Sequence, residues 1–241
     1  MPLKIPFQIV ESPTKIEQQI TKFGGQPVWI SQPYWPLCPE TGKQMMFLGQ
    51  ISLNQELFPN SNGIMVYLFF SGESEPIYKE AIAAVIQSTE NVYKSADSQI
   101  EFVSEAIGPV IYELDENRQI LYKEYQVILN PIGNEDWIPL NERYTANDFD
   151  IDTGFQFSQP ELAGNKIGGQ PLYIEGLSNP PEPFNSEEWL LLLQLAPTAG
   201  YWGTKWKPNF YPFYMELGEF AILTVFISPD YKQVEWFIQQ P

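Results

Sequence analysis

An α+β fold, predominantly antiparallel β and built as two pseudo-equivalent halves, is what the sequence predicts, on three observations. The stretch Lys22-Phe23-Gly24-Gly25-Gln26-Pro27-Val28-Trp29-Ile30 recurs as Lys166-Ile167-Gly168-Gly169-Gln170-Pro171-Leu172-Tyr173-Ile174. The same offset of 144 residues, Lys22 to Lys166, also aligns Thr14 with Ser158, Glu17 with Glu161, Pro36 with Pro180, Pro39 with Pro183, Leu48 with Leu192 and Gln50 with Gln194. A register held this long is the mark of an internal duplication. Finally, each copy opens on capping-box spacing while apolar β-forming runs make up much of the rest, so a helix-GGxP-strand unit is expected twice within a sheet-rich whole.

In chain order, residues 12–22 are expected to form a short helix. Thr14 and Glu17 cap it, Pro13 suits its start, and Ile16, Ile20 and Phe23 share one face. Gly24 then ends it, because a glycine takes the left-handed conformation at no steric cost. Pro27 forces Gln26 toward extended backbone, and the chain leaves the Gly24-Gly25 corner as strand or loop. Ser158, Glu161 and Gly168 repeat the logic. Residues 31–43, with Pro33, Pro36 and Pro39, read as an irregular loop closed by a Thr41-Gly42 turn. Residues 45–53 read as a buried strand, and residues 63–71 as the strongest strand of the first half, with residues 220–228 as its counterpart.

Residues 72–155 separate the copies. Strands are expected at 100–103, 110–114 and 120–129, the last two joined by a hairpin-like turn over Asp115-Glu116-Asn117-Arg118. Residues 78–87 favour helix at their start and strand at their end. A short helix is expected at 140–148 and a closing strand at 234–238. The whole of 1–241 is read as a single domain, with repeat halves at about 12–71 and 156–238.

Composition excludes several classes of function. There is no histidine, which rules out Ser-His-Asp and Cys-His catalysis and histidine-ligated metals. Cys38 is the only cysteine, and Thr41 stands where a zinc knuckle would need a second ligand, so neither an intrachain disulfide nor a metal site is expected. A formal charge of −17 repels nucleic acid and anionic membrane and favours a basic protein or peptide as partner. No stretch approaches the roughly 20 apolar residues of a membrane span, and the N-terminus lacks a signal-peptide run, so a cytoplasmic location is expected. Asp148, Asp150 and Asp152 alternate as in calcium loops, but Thr153 and Gln159 occupy the positions where an EF-hand has glycine and glutamate. An extended segment with one solvated face is the plainer reading. The glycine pairs lack phosphate-loop spacing, and no pair of carboxylates stands out for acid-base work, so no catalytic residues and no cofactor are expected.

The sharpest candidate for binding is residues 201–214, seven aromatics and two lysines where the first copy has only a short polar turn. Tyr201, Trp202, Trp206 and Tyr211 supply contact area at low entropic cost, and the alternative is that these rings cover the core. Gln50 and Gln194 lie within apolar runs and are expected to satisfy buried backbone groups. Lys22 and Lys166 are expected to cap the carbonyls of the segments before them.

The run Lys22 to Pro27, followed by Trp35-Pro36-Leu37-Cys38-Pro39 and Met46-Phe47-Leu48-Gly49-Gln50-Ile51, resembles the YwqG-like bacterial family, a domain of unknown function. Lys166 to Pro171, Trp189 to Leu195 and Gly218 to Ser228 extend the resemblance over most of the chain. The pattern is also distantly similar to the programmed cell death protein 2 group, whose members share the Gly-Gly-x-Pro and Leu-x-Gln elements, carry zinc-binding cysteines and escort a ribosomal protein. This second resemblance implies a chaperone-like or peptide-binding role, Thr41 argues against transferring the zinc, and no enzyme activity is expected. The alternatives are a binder or hydrolase of small molecules or carbohydrate using loop 201–214, and an immunity or antitoxin-type protein.

Overall fold

Ile5, Phe7 and Ile9 alternate with more polar neighbours, and this period of two makes the first residues a strand, β1 (Leu3–Glu11), buried on its odd-numbered face. The computed structural model describes residues 3–71, 82–94, 99–129, 133–134, 164–172, 189–195, 213 and 221–239. Among them there is no helix. The fold is therefore all β and not α+β, a large curled antiparallel sheet resembling half a barrel.

The strands that follow are β2 (Lys22–Gly24), β3 (Trp35–Pro36), β4 (Met46–Ser52), β5 (Met65–Phe70), β6 (Ile82–Gln87) and β7 (Val92–Lys94). Next come β8 (Phe102–Val103), β9 (Glu113–Leu114), β10 (Ile120–Leu121), β11 (Glu124–Leu129) and β12 (Gly133–Asn134). The last described are β13 (Lys166–Gly168), β14 (Leu190–Leu195), β15 (Ile222–Ile227) and β16 (Val234–Gln239). The main sheet runs β16-β15-β14-β13-β1-β11-β2-β4-β5-β6-β7, with β12 also paired to β1, while β9-β10 and β3-β8 form two small separate ladders.

The expected first helix is replaced by bends over residues 12–21, and the reason is tertiary. The Ile16 N–H donates to the Glu124 carboxylate at 2.5 Å, and the Ile16 carbonyl accepts from the Lys22 ammonium at 3.2 Å. The Glu124 carboxylate, 108 residues away, and the Lys22 ammonium thus hold this segment in bends, the ammonium on a carbonyl that a helical turn would use, and together they outweigh a capping box worth about 1 kcal/mol. The second expected helix and the one at 140–148 lie outside the described residues. The run 120–129 is also two strands rather than one.

The arrangement around the sheet's centre has local two-fold character. β1 pairs with β11 through Gln8↔Ile128, and the flanking pairs Phe7↔Leu129 and Ile9↔Val127 are related by exchanging the two strands about that point. Outward from this ladder, β11 pairs with β2 so that Tyr125 faces Phe23, and β1 pairs with β13 so that Ile5 faces Ile167. Beyond them β4-β5-β6 and β14-β15-β16 repeat one another. Even the irregularity recurs: the β4-β5 register shifts between Phe47 and Gly49, and the β14-β15 register between Leu191 and Leu193, the positions that the 144-residue offset aligns.

One continuous core lines the concave side, from Leu48, Val66 and Ile86 through Phe7, Phe23 and Tyr125 to Leu192, Leu223 and Val225. Phe23 is at its middle, fully buried, with the rings of Phe7 at 6.0 Å and Phe213 at 5.6 Å. A second cluster covers the opposite face of β4-β6 with Trp29, Trp35, Phe47, Tyr67 and Phe69.

Removing the central ring should leave a cavity that the surrounding strands cannot close. Phe23→Ala is expected to cost about 3–5 kcal/mol, measured by urea denaturation, and a loss below about 1 kcal/mol would show that the two halves do not share this core.

Candidate functional site

The two glycine corners repeat one another residue by residue. Gly24 and Gly25 have φ of 68° and 61°, and Gly168 and Gly169 have 75° and 76°, the left-handed region that favours glycine. They end strands rather than helices. A Cβ on Gly24 would strike the Lys123 carbonyl, and one on Gly25 the Glu124 side chain, so close approach of β11 adds to the demand for glycine. Pro27 and Pro171 are buried just beyond.

Each corner is closed by a glutamine from the neighbouring strand. Gln50 Oε1 accepts from the Val28 N–H at 2.8 Å, and its Nε2 donates to the Ile20 carbonyl at 2.9 Å. Gln194 Oε1 accepts from the Leu172 N–H at 2.8 Å, and its Nε2 donates to the Gly164 carbonyl at 2.9 Å. All four partners correspond at the same offset. Both glutamines are fully buried and use their amides as the sequence suggests. Lys22 does reach a carbonyl of the preceding segment, at Ile16, and Lys166 donates to the carbonyl of Gln170, which follows it; residues 156–163, where the matching carbonyl would be, lie outside the described residues.

The corners differ in what holds the chain after the proline. The Tyr67 hydroxyl donates to the Val28 carbonyl at 2.9 Å and accepts from the Ile30 N–H at 2.9 Å. In the second half Thr224 is too short for this, and Gln239 Nε2 bonds both the Leu172 carbonyl at 2.8 Å and Thr224 Oγ1 at 3.2 Å. Burial pushes the Tyr67 phenol well above its ordinary value. Burial pushes the Lys22 ammonium down, against the upward pull of the Glu124 carboxylate 3.5 Å away. These groups are engaged in holding the corner, which makes them structural.

Chemistry directed outward is found on a feature without a described counterpart in the second half, the β9-β10 hairpin. Asp115 builds its turn, with Oδ1 accepting from the N–H groups of Asn117 at 2.8 Å and Gln119 at 2.7 Å, while Arg118 takes φ of 60°. Leu114 lies opposite Ile120, and that register puts Tyr112 opposite Tyr122, their rings 6.4 Å apart edge to face. These four side chains share one face because alternate strand residues do. It points to solvent: Leu114 is 43% exposed, Ile120 51% and Tyr122 69%.

The other face carries Glu113 and Lys123, both engaged with the sheet, together with Leu121, which is 38% exposed. Glu113 accepts from the Tyr125 hydroxyl and from Lys123 Nζ at 2.8 Å, and Lys123 also bridges Glu11 at 2.9 Å. The hydrogen bonds that the Lys123 ammonium donates to Glu11 and Glu113 hold it above its ordinary value. Burial first, then the bond to Glu113, raises the Tyr125 phenol. The usual polarity of a surface hairpin is thus reversed, with its charged groups used as anchors and its apolar groups presented to water. Tyr112 also lines a cavity of about 440 Å³ shared with Cys38, Gln44, Met46, Ser71 and Pro109. Cys38 is buried there and accepts from the Ser71 hydroxyl at 3.3 Å.

Tyr201, Trp202, Trp206 and Tyr211 lie outside the described residues, as do Asp148, Asp150 and Asp152. Phe213, from the same aromatic segment, is described, and it is core: 3% exposed, against Phe23 and Tyr125. No three His, Cys, Asp or Glu side chains converge as a metal site among the described residues. Sequence reasoning located the hairpin turn but did not single out Tyr112, Leu114, Ile120 or Tyr122, because alternation reports two faces without saying which one turns inward. No family model, curated protein or solved structure matches the chain.

Replacing Gln50 by Leu strands a buried donor and a buried acceptor, and a loss of about 2–5 kcal/mol is expected by chemical denaturation, with a similar loss for Gln194→Leu. The two raised phenols set an alkaline limit. The unfolded chain releases their protons first, so stability is intact below the ordinary tyrosine value of 10.0 and falls as pH rises above it. Tyr67→Phe should make that fall shallower in melting curves recorded across pH.

Proposed function

We propose that this chain is a non-enzymatic, chaperone-like module that binds a protein or peptide segment, preferentially a basic one. The observation that carries the reading is the outward apolar face formed by Tyr112, Leu114, Ile120 and Tyr122. Apolar surface left in water forgoes about 25 cal/mol per Å², and here it sits on a hairpin whose polar face would have suited solvent. Anchoring by Glu113 and Lys123 makes the face rigid, which lowers the ordering cost when a partner covers it. Aromatic rings at its base match the composition of binding hot spots.

Charge supports the preference for a basic segment. Glu11, Glu113, Asp115 and Glu116 outnumber Lys123 and Arg118 around the hairpin, and the whole chain carries −17. Such a field speeds encounter with cations and weakens with salt. The cavity beside Tyr112 offers space for one apolar side chain of the partner. The distant resemblance to the programmed cell death protein 2 group points the same way.

The reading is tested with reduced lysozyme, a basic aggregation-prone probe. At low ionic strength the wild-type chain should suppress its aggregation, and Leu114→Ser/Ile120→Ser should not. Both side chains are largely solvated, so the double variant should keep its stability to within about 1 kcal/mol. Equal behaviour of the two proteins, or no suppression by either, would count against the proposal.

A further inference from the structure

Besides side chains, the hairpin presents backbone. The Asp115 N–H donates to the Gln119 carbonyl at 3.0 Å, which makes 115–119 a hydrogen-bonded pair. Pairs of this kind alternate along an antiparallel ladder, so Glu113–Leu121 bonds inward and Leu114–Ile120, between them, does not. Ile120, and Tyr122 two residues on, therefore turn their N–H and C=O groups away from β9. Among the described residues, nothing pairs with that edge of β10.

Proteins guard exposed strand edges with lysines, prolines or charges directed at the edge. β10 has none of these. It is short, Ile120-Leu121 with Tyr122 continuing its line, and the lysine that follows, Lys123, is held on the inner face by Glu11 and Glu113. An unguarded edge lies beside the apolar face formed by the same residues. We infer that β10 receives an extended segment of the partner as an added strand, main chain bonding to Ile120 and Tyr122 and alternate apolar side chains lying over Leu114 and Ile120. The inference rests on the binding role proposed above and specifies its mode.

The occupant is a basic segment of another protein, and charge is the reason. A second copy of this chain would bring another −17 to the same edge, which repulsion opposes. The carboxylates of Glu11, Glu113, Asp115 and Glu116 around the hairpin instead favour lysine or arginine at the alternate positions of an added strand, which turn to the face opposite Leu114 and Ile120.

The probe is a short synthetic peptide alternating valine with lysine, with a glutamate-for-lysine version as control. Amide hydrogen exchange on the full chain should show Ile120 and Tyr122 slowed by the lysine peptide and unaffected by the control. Tyr122→Pro, which removes an N–H that the hairpin does not use, should weaken binding about tenfold more than Tyr122→Ala, which removes the same ring but keeps the N–H, the equivalent of one main-chain hydrogen bond. Binding of the lysine peptide that Ile120→Ser weakens, but that Tyr122→Pro weakens no more than Tyr122→Ala and no amide reports, would overturn strand addition and leave the apolar face as the binding surface. A concentration-dependent dimer in sedimentation that protects the same amides would also overturn the inference, since the occupant would then be a second copy. No binding by either peptide, together with no suppression of lysozyme aggregation, would overturn inference and binding role alike.

Discussion

Two buried carboxamides hold this structure's corners, and most of its architecture depends on them. At each Gly-Gly-x-Pro corner the chain turns sharply, and backbone groups are left inside the protein without strand partners. A buried N–H or C=O that finds no partner costs about 1–3 kcal/mol. Gln50 and Gln194 each satisfy one donor and one acceptor from the middle of a strand, which ties corner to sheet. An apolar residue of the same size would pack as well but would leave both groups stranded. The glycines are needed for the turn itself, and the glutamine makes that turn tolerable inside a core.

With the corners fixed, the two repeated strand sets are joined by an exchange. β1 precedes β2 in the chain but pairs with β13, and β11, which precedes β13, pairs with β2. The β1-β11 ladder closes the exchange through Gln8 and Ile128. Each half thus contributes a strand to the other, and one core runs across both. The buried Lys22-Glu124 pair adds a specific bond between β2 and β11 at this junction. Its burial opposes the charge and the carboxylate supports it, so its role is to fix register rather than to add much stability.

Symmetry of this kind gives a rigid frame and says little about activity, and the proposed activity rests on what breaks it. The β9-β10 hairpin, which has no counterpart among the described residues of the second half, is held by Glu113, Lys123 and Tyr125. Because these charged and phenolic groups serve as anchors, the apolar side chains are left facing water. A stable scaffold can carry such a surface at modest cost, whereas a hairpin alone would collapse on it or aggregate.

The repeat, the glycine corners, the buried glutamines and the main strands were legible in the sequence, since each rests on local chemistry: residue spacing, the conformational freedom of glycine, the cost of an unpaired amide, the period of two. The absence of histidine and the single cysteine likewise exclude whole classes of catalysis through composition alone. Tertiary structure alone decided that residues 12–21 are not a helix, because Glu124, more than a hundred residues away, holds both the Ile16 N–H and the Lys22 ammonium, and that ammonium takes the Ile16 carbonyl that a helical turn would use. It alone revealed β1 as the central strand, since its value lies in partners drawn from both halves. It also decided which face of the hairpin meets solvent. Alternation divides Tyr112, Leu114, Ile120 and Tyr122 from Glu113, Leu121 and Lys123, but only the positions of Glu11 and Tyr125 turn the charged side inward.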